Sequence, residues 1–512
     1  MFRHYMDFRT LLLILRPCFG VENGSRACGG NAGWGCSKAP RGETPSTEVG
    51  NMATITLDVN QWAEEQFGQC DLGDRRRSKR LVKYAAQAAA DPSGSTPKQT
   101  ESWRDCKAAY RLIDSDDVKF AAITAPHYTA TLARSEGTWL LISDTTETDF
   151  PAAQALGLGP TGAGGGRGFL LHSALMVRAD GQEITGLAAQ VIHYRCEVKR
   201  ETNGAKRLRR KNRESVIWGQ VVDQIGSAPH GVRFIHVFDR GGDQFELYCR
   251  ILRTGAGWVG RAAQLHRGIR TPQGKRMALS AYLKQLPVTG TYTLQLPANN
   301  EQPAREATME VRFAPLIVPR PKYCSQWVKD SGIRKIAMWV VEAREINPPQ
   351  GVQAARWVLL TSEPVDSFDA AWTILGYYEK RWLVEEYHKA LKTGCRLESR
   401  QYETAKRLEA ITAVLSILAV RLVQLKTIAR DDPQRPADKV VPQKWIVMLH
   451  CLCKRKPSVP WTVREFYREM AKLGGFLGRK SDGEPGWITV WRGFEKLHLC
   501  LRGAESYGKQ CG

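Results

Sequence analysis

Two apolar runs of strand length, each ending in an aspartate, constrain this chain more than any other feature. They are Trp139-Leu-Leu-Ile-Ser-Asp144 and Val232-Arg-Phe-Ile-His-Val-Phe-Asp239. Short runs rich in aliphatic and aromatic residues are buried strands of a sheet core. Similar text at 168–177, 184–194 and 357–361, with helical stretches between, makes the middle of the chain α/β. A single acid at a strand end is usually a cap or a turn residue. Two of them acquire meaning only if a third group joins them.

That third group lies in Tyr377 to Lys392, which reads YYEKRWLVEEYHKALK. On one helix of about 3.6 residues per turn, Tyr378, Arg381, Glu385 and Lys392 project from a single face. A phenol, a guanidinium, a carboxylate and an ammonium on one stripe are not a packing face. A solvated ladder of ion pairs with Glu379, Lys380, Glu386 and Lys389 is the plain alternative. His388 beside the stripe reads as a satisfied interfacial histidine.

Asp144, Asp239 and Glu385 together make a three-carboxylate cluster, which is costly unless cations neutralise it. Mg²⁺ and Mn²⁺ prefer such oxygen ligands. Two ions about 3.5–4 Å apart activate a water or a 3′-hydroxyl and stabilise the leaving oxygen of a phosphodiester. Charge points the same way: 74 Lys plus Arg against 52 Asp plus Glu leave +22 over 512 residues. An excess of that size favours a polyanion, since phosphate contacts release condensed counterions. No apolar run approaches the roughly 18–20 residues needed to span a bilayer, so no membrane partner is expected. The thirteen cysteines show no C-x-x-C pair and no zinc spacing, which predicts a reduced, cytoplasmic protein.

The chain divides by its patterning. Residues 1–51 lack periodicity and read as a disordered leader, with Met52 as the true start. Residues 52–135 are helical, with Arg76 and Arg80 on a basic helix backed by Leu81, Tyr84, Ala85 and Ala88. A second helix runs near Trp103 to Leu112. The core covers 136–430, with a β insertion at about 255–345 and a long apolar helix from about Ala405 to Leu425. Gly164-Gly-Gly-Arg-Gly168 is a turn rather than a phosphate loop, because it precedes a strand and lacks Lys-Ser/Thr. After a Pro-bearing linker, 437–512 form a helical tail. Its apolar positions include Phe466, Phe476, Trp487, Trp491 and Phe494, and leftover aromatics there suit a symmetric interface.

Asp144-Thr-Thr, Phe238-Asp239-Arg240 and the Tyr378-Arg381-Glu385-Lys392 signature resemble the DDE transposases of insertion sequence family four, the transposon-five group in particular. The likeness runs from about Asn60 to Ala504 and includes EINPP at Glu345–Pro349 and LGGF at Leu473–Phe476. It implies an RNase H-like catalytic core (a mixed sheet flanked by helices) with an inserted β subdomain. An N-terminal helical DNA-binding domain and a C-terminal helical dimerisation domain would flank it. By the same resemblance, Asp144, Asp239 and Glu385 bind two Mg²⁺ ions, which Mn²⁺ can replace. Tyr378, Arg381 and Lys392 contact end phosphates, Trp357 stacks on a flipped base at a hairpin, and Arg261 touches DNA. Lys389 is a weaker phosphate candidate. The implied activity is cut-and-paste cleavage and strand transfer on double-stranded DNA by a homodimer, in a bacterial cytoplasm and on the nucleoid when active. Two other readings remain open: an RNase H-like nuclease without strand transfer, and a catalytically silent DNA-binding regulator from a decayed element.

Overall fold

The computed structural model describes residues 58–162, 165–181, 183–196, 213–296, 303–453, 460–479 and 482–511. The leader at 1–51, most of the basic stretch at 199–213, part of the turn at 164–168 and the side chains of Trp487 and Trp491 lie outside the described residues.

The N-terminal part has four longer helices, α1 (Val59–Phe67), α2 (Arg75–Ala90), α3 (Trp103–Asp114) and α4 (Phe120–Leu132), with one short helical turn at Thr96–Gln99. Asp58, Asp74 and Ser102 each accept a backbone N–H at the start of a helix, satisfying donors the helix cannot pair itself. Leu81, Tyr84, Ala85 and Ala88 are buried on α2, so its cations face outward. The long helix α9 (Ala405–Asp431) binds this unit to the rest. Its Arg421 guanidinium lies 5.2 Å from the Trp62 ring centroid of α1.

Twelve strands among the described residues form one mixed sheet. They are β1 (Gly137–Asp149), β2 (Gly159–Pro160), β3 (Arg167–Arg178), β4 (Ile184–His193), β5 (Val232–Phe238), β6 (Gly257–Arg261), β7 (Gly268–Arg270), β8 (Arg276–Ala278), β9 (Gly290–Leu296), β10 (Arg305–Pro319), β11 (Lys335–Glu345) and β12 (Arg356–Thr361). Their order is β2-β3-β1-β5-β6-β12-β11-β10-β7-β8, with β4 also on β3 and β9 on β10. β1, β3 and β4 are antiparallel, whereas β5 and β6 run parallel to β1. The parallel steps need crossovers, supplied by α5 (Val216–Ile225) and α6 (Phe245–Thr254). On β6, Gly260 is required: a Cβ there would sit 2.1 Å from the Phe238 ring.

Two expectations are corrected here. The segment at about 255–345 does not make a β subdomain of its own: β6 pairs with β5 in the core, and β12, β11 and β10 continue the same sheet. Turn composition marks where strands end, but pairing partners are chosen in three dimensions. The second correction concerns apolar length. Ala405–Thr427 is long and apolar enough to cross a membrane by length and composition, with 89% of that stretch buried inside the protein. A helix enclosed on all sides is apolar all round, so it passes a test meant for lipid.

The stripe-bearing segment is not one helix. It divides into α7 (Phe368–Glu379) and α8 (Trp382–Lys389), followed by a wide turn at Ala390–Gly394. Arg381, Leu383 and Val384 bond back three residues instead of four, which tightens the backbone at the join. The wide turn, closed by Cys395 N–H to Ala390 O at 2.8 Å, contains Lys392.

The tail comprises α10 (Gln443–Leu452), α11 (Val463–Leu473) and α12 (Trp487–Cys511). Thr462 and Glu465 form a reciprocal capping box at the start of α11. Trp445, Phe466, Phe494 and Leu497 are buried in a core shared with α9, so these apolar residues are used within the chain.

Candidate active site

Parallel pairing of β1 with β5 places Ser143 opposite Phe238, so Asp144 and Asp239 follow at the same level on adjacent strands. Neighbouring strands lie about 4.8 Å apart, which brings the two carboxylates close. Asp144 Oδ1 accepts the Thr145 N–H at 2.7 Å, and Asp239 Oδ1 accepts the Gly241 N–H at 2.7 Å. Helix α8 brings in Glu385 through Arg381, whose guanidinium donates to Glu385 Oε1 and reaches Asp144 Oδ2 at 3.3 Å.

Burial pushes the Asp144 carboxyl up to about 7, and the Asp239 and Glu385 carboxylates add to this while Arg381 opposes it. Burial would lower the Arg381 pKa, but Tyr378, Glu385 and Asp144 outweigh it and hold the guanidinium charged. Among the described residues, no group of three or more His, Cys, Asp or Glu is gathered closely enough to hold a metal ion. The guanidinium of Arg381 bridges two of the acids and supplies positive charge among them. The donor chemistry still suits a hard cation: three carboxylates on rigid elements, two raising the proton affinity of the third.

The other sequence candidates are placed as follows. Tyr378 is buried behind Arg381, 5.9 Å from ring centroid to guanidinium, and burial raises its pKa. Arg261 ends β6, lies beside Tyr378 and donates to Arg356 O at 3.1 Å. Trp357 is half-buried on β12 opposite Ala343, packed against the core. Lys392 is paired with Glu398 at 2.9 Å. Lys389 is half-buried on α8 and engaged within the protein. Arg76 pairs with Asp74 at 2.9 Å and Arg80 with Asp105 at 3.1 Å, both far along the chain from the acids. His388 is buried but not satisfied: its Nε2 has no partner among the described residues, and burial pushes it down to about 3.

One supporting pair escaped the sequence reading. His172 on β3 lies opposite Thr145, with its Nδ1 2.7 Å from Thr145 Oγ1. Its ring meets Trp218 of α5 edge-on at 4.3 Å. The Trp218 ring in turn lies 3.0 Å from where a Cβ on Gly241 would sit, beneath the turn that holds Asp239. A buried histidine and tryptophan thus brace both acid-bearing turns. Burial pushes His172 down to about 3, so it is neutral and acts as a brace rather than a base. No sequence spacing connects residues 145, 172, 218 and 241; only the sheet register does.

Residues 59–118 match the family model for transposase DNA-binding, and residues 417–510 match that for the Tn5 transposase dimerisation domain. Together the two matched units support a transposase that binds DNA. Both matches support a Tn5-like transposase. Among solved structures, a cryo-EM structure of piggyBac transposase synaptic complex with hairpin DNA is similar over 74% of this chain and 77% of that chain. Its TM-score is 0.35 at 9% identity, too distant to say anything about this chain's function.

Proposed function

We propose that this transposase cleaves DNA at the ends of its mobile element and transfers the cut strands, in a divalent-metal-dependent reaction with a hairpin intermediate. The observation that carries the reading is the convergence of Asp144 within β1, Asp239 just past the end of the adjacent parallel β5, and Glu385 on α8. Three antiparallel strands joined to two parallel ones support an RNase H-like core. Asp144, Asp239 and Glu385 would hold two Mg²⁺ ions, or Mn²⁺ in their place. When bound, such ions supply an activated water or 3′-hydroxyl and stabilise the leaving oxygen. Arg381 holds Asp144 and Glu385 in place and keeps positive charge among the acids. Arg240 and Arg261, next to Asp239 and Tyr378, extend that field. The buried histidines stay neutral and leave proton transfer to solvent.

The test is incubation of the purified protein with its element's flanking DNA in Mg²⁺. Nicked ends together with joined product are expected. Cleavage without joining would make it a nuclease, and binding without cleavage would make it a silent regulator. The dimerisation match favours joining, because two paired ends are the substrate for transfer.

Assembly gives a further prediction. Most tail aromatics are consumed internally, but Val447, Leu477 and Leu499 remain 52%, 66% and 65% exposed. Leu477→Asp with Leu499→Asp is expected to leave binding of one end intact and to abolish the two-end complex. Gel mobility with labelled ends of two lengths reads this directly. A mixed-length complex from the double variant would move the pairing surface elsewhere.

A further inference from the structure

The basic helix α2 is the obvious DNA contact, yet its cations are largely engaged by the protein's own acids. Arg76 pairs with Asp74, Arg77 with Asp117 at 2.5 Å, and Arg80 and Lys83 share Asp105 at 3.1 and 2.7 Å. A cation already neutralised by a carboxylate must give up that pair to neutralise a phosphate.

Helix α3 differs. Its inner face buries Asp105, Cys106, Ala109, Leu112 and Ile113. Its outer face carries Trp103, Arg104, Lys107 and Arg111, which fall within about a 100° arc at 3.6 residues per turn. All four are exposed, Trp103 at 67%. Among the described residues, Arg104 and Arg111 enter no ion pair and no side-chain hydrogen bond, and the Lys107 ammonium lies 5.2 Å from the Trp103 ring centroid. These four side chains and Arg76, Arg77 and Arg80 of α2 line one open cleft of about 580 Å³. The nearest acid, Asp105, is turned inward and already taken by Ser102 at 2.9 Å as well as by Arg80 and Lys83.

We propose that the outer face of α3 is the principal duplex-DNA contact of this unit, with Arg104, Lys107 and Arg111 on phosphates and Trp103 against the groove wall. The inference rests on the DNA-binding assignment of residues 59–118 and goes beyond it by naming the face. Unpaired cations release counterions when they meet phosphate, and an exposed indole beside them offers an apolar surface to sugar or base. α2 then serves mainly to position α3: Arg80 and Lys83 grip Asp105 and fix the cleft.

The experiment is a salt titration of end-DNA binding with the full chain, without divalent metal. Four variants are compared with the parent: Arg104→Gln/Lys107→Gln/Arg111→Gln, Arg76→Gln/Arg80→Gln, Trp103→Ala, and the charge-preserving Arg104→Lys/Lys107→Arg/Arg111→Lys. The triple neutralisation is expected to flatten the log–log salt slope by about three, roughly one for each phosphate left without its cation. The Arg76/Arg80 variant should flatten it less. Trp103→Ala should weaken binding at an unchanged slope, and the charge-preserving triple should keep the parental slope, which separates an effect of charge from an effect on folding. A triple neutralisation that binds with the parental slope, or an Arg76/Arg80 variant whose slope falls further than that of the triple, overturns the proposal while leaving the DNA-binding assignment intact. Failure of the parent protein to bind would instead overturn that assignment.

Discussion

Replacing any one of Asp144, Asp239 and Glu385 by alanine is expected to abolish end cleavage in Mg²⁺ while leaving end binding within a few-fold of the parent. Each acid sits on a different element, so no neighbour replaces a missing carboxylate. The loss should exceed the roughly 10–100-fold typical of groups that only orient a metal ligand. The DNA contacts proposed on α3 belong to another part of the chain, so binding is spared. Stability should respond in the opposite direction. The Asp144 carboxyl is disfavoured as an anion by burial and by Asp239, so Asp144→Asn should melt no lower than the parent at neutral pH. Cleavage and binding are read on one labelled end fragment. A single-acid variant that still cuts would remove that residue from the proposed ligand set.

Stability is expected to fall steeply as the pH drops below about 6.5, and His127 should account for a separable share. His127 on α4 is buried between α1 and β4. Its Nε2 accepts the Leu187 N–H at 3.0 Å, so the ring proton sits on Nδ1 and is donated to Gln66 Oε1 at 2.6 Å. Burial pushes this histidine down from 6.5 to about 4. Between those values the unfolded chain binds the proton and the folded protein does not, so folding loses stability as the pH falls. The contribution is complete above 6.5 and gone below about 4. A difference of that size corresponds to about 3 kcal/mol. His172, His236 and His498, each pushed to about 3 chiefly by burial, steepen the fall further. Denaturant midpoints of the parent and of His127→Gln, measured at pH 7.5 and 4.5, isolate the effect. The parent should lose more than the variant, whereas equal losses would show that His127 is not held neutral.

Part of the candidate site is legible in the sequence. Asp144 and Asp239 stand out because each directly follows an apolar run, although β1 continues past Asp144 to Asp149 and only Asp239 lies beyond the end of its strand. The offsets from Tyr378 to Arg381 to Glu385 survive the break between α7 and α8, because adjacent short helical turns keep near neighbours together. Lys392 lies inside the wide turn at 390–394, where the helical period changes, and pairs with Glu398. Helical period is local information, and it fails wherever the backbone changes its period.

What the sequence determined by itself, then, is the content of each element and the identity of the acids, both consequences of which side chains water rejects along a few residues. Tertiary structure alone decided the pairings. It joined the strands of 255–345 to the core sheet, set His172 and Trp218 under both acid turns, and drew the tail aromatics into the core around α9. It also engaged Arg76, Arg77 and Arg80 of α2 with acids of their own unit and left the cations of α3 without ion pairs among the described residues. Associations between residues tens of positions apart depend on how faces meet in space, and a one-dimensional pattern records the faces but not their partners.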